Sequence, residues 1–165
     1  INSDLANNYG NLCQRVISFL DKNLNLETPS KICFLQEDNN ILEIYSKNFE
    51  LLVTEMDNQN VNFYISFIID RLFAANKYFN DQEPWNKKNN QERLHTILYV
   101  SLELIRKITI LIYPIMPDTA LKVMSIFNIK ENEISYSSIK NDHFLKTKAK
   151  LNKINILFKK IELND

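Results

Sequence analysis

Few side chains in this 165-residue chain have types suited to covalent or metal chemistry, and their spacing argues against both. Cys13 and Cys33 have neither a CxxC partner nor a nearby histidine, so they read as reduced thiols of a cytoplasmic protein rather than zinc ligands or a secreted disulfide. His95 falls within an amphipathic run and reads as structural, while His143 falls in a polar stretch and reads as solvated. Gly10 is the only glycine, which rules out a Gly-rich phosphate loop or a dinucleotide fingerprint. No nucleophile, base and orienting group stand at a spacing that would make a hydrolase. We therefore expect no catalytic residue, no bound metal and no cofactor in this chain.

The remaining candidates are suited to binding. Asn11 and Arg15 are four residues apart, so on a helix they share a face. Arginine offers a planar fork of donors, and asparagine can both donate to and accept from a base edge. A plain polar helix surface would also carry such a pair. Trp85, the only tryptophan, follows Pro84 in the polar stretch Asn80-Asp81-Gln82-Glu83-Pro84-Trp85. Its indole could plug a helix junction, or it could stack on an unpaired base of a single-stranded RNA loop, a contact worth about 1–3 kcal/mol. The neighbouring proline would limit what a loop loses in freedom on binding.

The elements that must position these residues are helices. One glycine and four prolines leave long runs without a breaker, and 45% apolar content can fill a core in one domain. Leu5, Tyr9, Leu12, Val16, Phe19 and Leu20 mark a first helix over 2–22, with Asn2, Ser3 and Asp4 as cap candidates. Residues 23–38, with Thr28-Pro29-Ser30, read as a connector. Ile41, Tyr45, Phe49 and Leu52 predict a second helix, and Val61, Ile65, Ile68, Leu72 and Ala75 a third. A loop follows, since Pro84 disfavours helix at Glu83. Leu94, Leu98, Ser101, Ile105, Ile108 and Ile112 predict a fourth helix over 90–113 that ends at Pro114. A short fifth is expected from Asp118, burying Leu121, Met124 and Phe127. The fold class is all-α, about five main helices in a bundle over 1–128, followed by a returning, partly helical tail over 129–165 that ends in an apolar cluster at Ile154, Ile156, Leu157 and Phe158.

Net charge is zero but uneven: residues 1–83 hold 6 Lys or Arg against 12 Asp or Glu, and residues 84–165 hold 14 against 8. The second half could offer phosphates a basic face, although solvated helices show similar imbalance. The most apolar stretch, Ile108 to Met116, is far shorter than the roughly 20 residues of a membrane span. The chain opens at Ile1 directly in a patterned segment, without leader or initiator Met, and is expected to be an excised domain.

Four segments carry a family resemblance. Asn2-Ser3-Asp4-Leu5-Ala6 running to Gly10-Asn11-Leu12-Cys13-Gln14-Arg15 resembles the first anticodon-domain helix of methionyl-tRNA synthetases. Asn76-Lys77-Tyr78 with Pro84-Trp85 is similar to that family's Asn-x-Tyr and Pro-Trp elements. Pro114-Ile115-Met116-Pro117-Asp118-Thr119-Ala120 is similar to its Pro-x-Met-Pro-x-Thr-Ala turn, and Leu157-Phe158-Lys159-Lys160-Ile161-Glu162 to its closing Leu-Phe-x-x-Ile-Glu. The family often has glycine where this chain has Asn128. Lys122-Val123-Met124-Ser125 is only superficially similar to the mobile Lys-Met-Ser-Lys-Ser loop of class I synthetases, because Val123 interrupts it.

The resemblance implies a C-terminal anticodon-binding helix bundle that reads the CAU anticodon of methionine tRNA. It implies that Trp85 stacks on an anticodon base, that Asn11 and Arg15 contact bases or backbone, that Pro84 shapes the turn and that Asn76 holds it from the end of the third helix. The parent enzyme would use ATP to attach methionine to its tRNA in the cytoplasm, through a catalytic nucleotide-binding domain absent here. The chain alone should form no methionyl-adenylate, and DNA or a membrane is not an expected partner. Two other readings stand beside it. One is the helical anticodon domain of a related class I synthetase for valine, isoleucine, leucine or cysteine; the other is a protein-interaction bundle without RNA contact.

Overall fold

A computed structural model describes the backbone of residues 2–153 and the side chains of residues 4–153. Six α-helices follow in order: α1 (Asn2–Leu24), α2 (Gln36–Glu43), α3 (Phe49–Asp57), α4 (Val61–Gln82), α5 (Gln91–Ile112) and α6 (Pro117–Ile126). Among the described residues no helix is long and apolar enough to cross a membrane.

α1 forms on the expected stripe, and Leu5, Tyr9, Leu12, Val16 and Leu20 are all buried. It stops where Asn25 and Leu26 turn to φ of 49° and 59°. The left-handed region is unfavourable for leucine, and here a buried Leu26 side chain and a 2.7 Å bond from Leu151 N–H to its carbonyl hold it.

The single second helix expected from Ile41, Tyr45, Phe49 and Leu52 is instead two. The backbone breaks at residues 44–48, where Asn48 sits at φ 60°. Asparagine tolerates this conformation, so the apolar spacing continues through a turn that the hydrophobic pattern does not register. Arg71 from α4 fixes the break: its guanidinium donates to the carbonyl of Ile44 at 3.1 Å. The connector is correspondingly shorter than expected, because α2 begins at Gln36 and Asp38 lies within it.

α4 begins at its cap Asn60, whose side-chain oxygen accepts from Phe63 N–H at 3.2 Å, and α5 begins at Asn90, which accepts from Arg93 N–H at 3.1 Å. Val61 stands outside the α4 core stripe, being exposed, whereas Tyr64 and Phe67 are buried. In α6 Met116 is the cap position and Asp118 lies in the first turn; Met124 and Phe127 are buried and Leu121 only partly so.

α5 is the centre of the bundle, packed against α1, α2, α4 and α6. Every residue from Thr96 to Ile112 is buried. A helix buried all round is normally apolar all round, yet this one carries Glu103, Arg106 and Lys107, each at most 1% exposed. The segment after α6 covers them. It passes through 3₁₀ turns at Glu131–Glu133 and Tyr136–Lys140. Arg106 donates to Glu103 at 2.7 Å and to the carbonyl of Asn141 at 2.7 Å, while Lys107 bonds the Ile139 carbonyl and Asp142. Glu103 also accepts from the Leu145 N–H at 2.7 Å.

The chain then pairs with the segment after α1. Thr28 N–H donates to Ala149 at 2.9 Å, Lys148 N–H donates back to Thr28 at 3.0 Å, and Glu27 and Lys150 form an antiparallel bridge. Among the described residues, the helical turns of the partly helical tail are the two 3₁₀ segments alone. The apolar cluster at 154–158 and the closing motif at 157–162 lie outside the described residues.

Both histidines are built into these contacts. His95 Nδ1 accepts from the N–H groups of Ser30 and Lys31 at 3.2 and 3.3 Å, which ties the α1–α2 connector to α5. Burial, then the charge of Lys31, push its pKa down. His143 is exposed, as expected, and in addition its ring stacks on Phe34 with centroids 4.6 Å apart.

Candidate nucleic-acid interface

Asn11 and Arg15 leave α1 on its exposed face. Arg15 Nη2 donates to Asn80 Oδ1 at 2.6 Å, and its guanidinium carbon lies 5.3 Å from the centroid of the Phe79 ring. Phe79 is buried at 2% exposure and packs edge-on against Phe19 of α1. Its other aromatic neighbour is Trp85, edge-on at 6.0 Å and 71°. One ring thus links Arg15 of the first helix to Trp85, seventy positions further along the chain.

The turn that carries Trp85 is short and ordered by its own backbone. α4 continues through Gln82, Glu83 takes the left-handed conformation at φ 45°, and Pro84–Asn86 form a 3₁₀ turn. Pro84 stands at the first position of that turn, where a missing N–H costs nothing, and it is buried. Asn86 N–H donates to Glu83 at 2.9 Å, and Lys87 N–H to Pro84 at 3.1 Å. Trp85 is 40% exposed. It is neither a full plug nor a free platform: it rests partly on Phe79 and leaves the remainder of its surface to solvent.

Asn76 does not hold this turn through a hydrogen bond. Its side-chain amide donates to the carbonyl of Leu72 at 3.1 Å, within its own helix. Six residues separate it from Gln82, more than a turn and a half of helix, which sets it back from the turn. The residues that tie the end of α4 to its surroundings are others. Arg93, in the first turn of α5, donates to Gln82 Oε1 at 2.5 Å and forks onto Asp38 at 2.6 and 3.0 Å. Asp38 is fully buried and also accepts from Tyr78 Oη at 2.6 Å and Leu35 N–H at 2.8 Å. Burial alone would raise its carboxyl, but the bonds from Arg93, Tyr78 and Leu35 outweigh burial and hold it below the ordinary carboxylate value.

Sequence reasoning missed Phe79, Asn80, Gln82, Arg93 and Asp38. Phe79 continues the three-to-four spacing of Leu72 and Ala75, so the apolar pattern contained it. A buried ion pair between residues 55 positions apart leaves no periodic trace. Among the described residues no three His, Cys, Asp or Glu side chains gather as metal ligands would.

This end of the bundle presents an aromatic face, an arginine fork and an amide, groups able to stack on and hydrogen-bond to an exposed base. Residues 29–165 match the family described as the anticodon binding domain of methionyl tRNA ligase. The chain is 34% identical over 167 residues to methionine–tRNA ligase of Thermotoga maritima, covering all of this chain and 26% of that protein. It is 32% identical over 170 residues to that of Rickettsia conorii, covering 98% of this chain and 33% of that protein. The free-state crystal structure of Mycobacterium tuberculosis methionyl-tRNA synthetase superposes with a TM-score of 0.85 at 31% identity, over 96% of this chain and 32% of that one. The same enzyme in complex with methionyl-adenylate gives a TM-score of 0.85 at 32% identity. The chain therefore spans about a quarter to a third of the length of these relatives. The family match omits α1, but the Thermotoga alignment includes it together with Asn11 and Arg15. Agreement of family, relatives and fold sets aside both a synthetase for another amino acid and a plain interaction bundle: the chain belongs to the family of anticodon-binding domains of methionyl-tRNA ligase.

Proposed function

We propose that this domain reads the CAU anticodon of methionine tRNA at the surface formed by Asn11, Arg15, Pro84 and Trp85. The observation that carries the reading is the meeting of Arg15 and Trp85 at one buried ring, Phe79. Trp85 would stack on an unpaired anticodon base, contributing about 1–3 kcal/mol. Arg15 spends one N–H on Asn80, which aims its fork while other donors stay available for a base edge or phosphate. Asn11, one helical turn earlier, brings an amide that can both donate and accept. Pro84 shapes the turn, while Asn76 bonds within α4 and stays apart from it.

In this reading residues 1–128 are the recognition bundle and 129–165 the returning tail of one domain. The parent is a cytoplasmic methionine–tRNA ligase whose separate catalytic domain uses ATP to charge the tRNA. The domain's share of that reaction is positioning: energy gained at the anticodon orients the acceptor end and rejects other tRNAs. The test is a fluorescence titration, read on the sole tryptophan, of a CAU stem-loop against one with an altered anticodon. We expect the altered loop to bind at least tenfold more weakly, a difference of about 1.4 kcal/mol. Equal affinity for the two loops would overturn the reading.

A further inference from the structure

We propose that the buried pair of Asp38 and Arg93 positions Trp85 for RNA by clamping the base of its turn through Gln82, an inference that rests on the anticodon-reading proposal. Gln82 is the last residue of α4 and Arg93 lies in the first turn of α5, so their 2.5 Å bond closes the loop that runs between the two helices. Arg93 is itself fixed from behind. Both of its terminal nitrogens reach the fully buried Asp38 carboxylate, which the Leu35 N–H holds from the cap of α2 and Tyr78 from α4. Glu37 completes the clamp from outside, accepting from Arg93 at 3.2 Å and from Gln82 at 3.4 Å.

Two features of the turn show what the clamp is for. Glu83, the residue after Gln82, is left-handed at φ 45° without being glycine, a conformation that persists only where neighbours over-determine it. The hydrogen bonds of Glu83–Asn86 are otherwise local, made to Asn80 or within the turn itself. If Gln82 were released, α4 could fray or run on, and Glu83, Pro84 and Trp85 would move with it. A buried ion pair is in itself weak evidence for stability, since apolar residues of similar size often serve as well. Its directional fork, aimed at one end of the turn that presents Trp85, is what apolar packing would not reproduce. Asp38, Arg93 and Gln82 are thus positioning residues, with the contact to RNA left to Trp85.

The test is a double-mutant cycle on the 165-residue chain with a CAU stem-loop, using Gln82→Met and Trp85→Ala. Gln82→Met removes the acceptor and leaves the buried pair intact, so the fold should survive. We expect Gln82→Met to raise Kd about fivefold through lost preorganisation and to change Kd less than twofold when Trp85 is already alanine. The anisotropy decay of the sole tryptophan should gain a fast component with helical content unchanged. Arg93→Lys, which keeps a charge beside Asp38 but cannot fork to Gln82, should follow the same pattern with a lower melting temperature. Equal losses in both backgrounds, or an unchanged Kd with Trp85 present, would overturn the clamp while leaving the anticodon reading standing. An unchanged Kd for Trp85→Ala alone would remove that reading and the clamp with it.

Discussion

Trp85 lies between the two roles its residue type left open, resting edge-on against buried Phe79 while exposing 40% of its surface. Trp85→Ala should therefore weaken binding of the CAU stem-loop by about 1–3 kcal/mol, the loss of one stacking platform. The accompanying loss of stability should be closer to the roughly 0.5–1.5 kcal/mol of an aromatic pair than to the 3–5 kcal/mol of a fully buried tryptophan. Thermal melts and RNA titrations on one preparation separate the two, and a large fall in melting temperature with unchanged affinity would return Trp85 to the core. His95 gives a pH dependence of definite sign. Its Nδ1 accepts two backbone N–H groups, and its pKa lies below the ordinary value of 6.5. The unfolded chain then takes up the proton first, so the contribution of His95 is complete above about pH 6.5 and is lost as pH falls below it. Melting temperature followed from pH 7.5 down to about 5.5 should decline more steeply in the parent chain than in His95→Asn.

At the scale of elements, the segment after α6 is part of the core of α5 rather than an appendage. Glu103 is its pivot, taking the Arg106 guanidinium and the Leu145 N–H on its two oxygens. Glu103→Ala would leave Arg106 charged and unpaired inside the protein, and breaking a buried pair in this way costs about 3–5 kcal/mol. Urea unfolding measures that loss, and hydrogen exchange should show the Leu145 amide losing protection first. If stability fell by under about 1 kcal/mol, the contacts of this segment would be decorative. The start of α2 sets Asp38 in the first turn of that helix, where the Leu35 N–H bonds to its carboxylate and the Arg93 guanidinium meets it.

For the whole molecule, zero net charge hides a cationic second half, but the structure uses several of those cations internally. Arg93 pairs with Asp38, Arg106 with Glu103 and Lys107 with Asp142. Fewer basic groups remain for phosphate than the count of 14 suggests. The affinity for the anticodon stem-loop should fall only moderately with salt, with a log–log slope of roughly −1 to −3 at about −0.7 per neutralised phosphate. A much steeper slope would move the RNA surface toward Lys146, Lys148, Lys150 and Lys153.

The sequence by itself determined the helical class, the course of α1, α4, α5 and α6, and the face shared by Asn11 and Arg15. Each of these follows from a local repeat of 3.6 residues or a breaker such as Pro114, and neither needs knowledge of distant partners. The same reasoning ran one helix through Asn48, because a turn that preserves apolar spacing is invisible to a periodic pattern. It also expected Asn76 to hold the Trp85 turn, whereas the Asn76 amide bonds to Leu72 within α4, and it is Gln82 that meets Arg93. Burial of Glu103, Arg106 and Lys107, and the convergence of Arg15, Phe79 and Trp85, were decided only by tertiary structure. A charge can be buried only where its partner arrives, and here the partners come from up to 55 residues away along the chain.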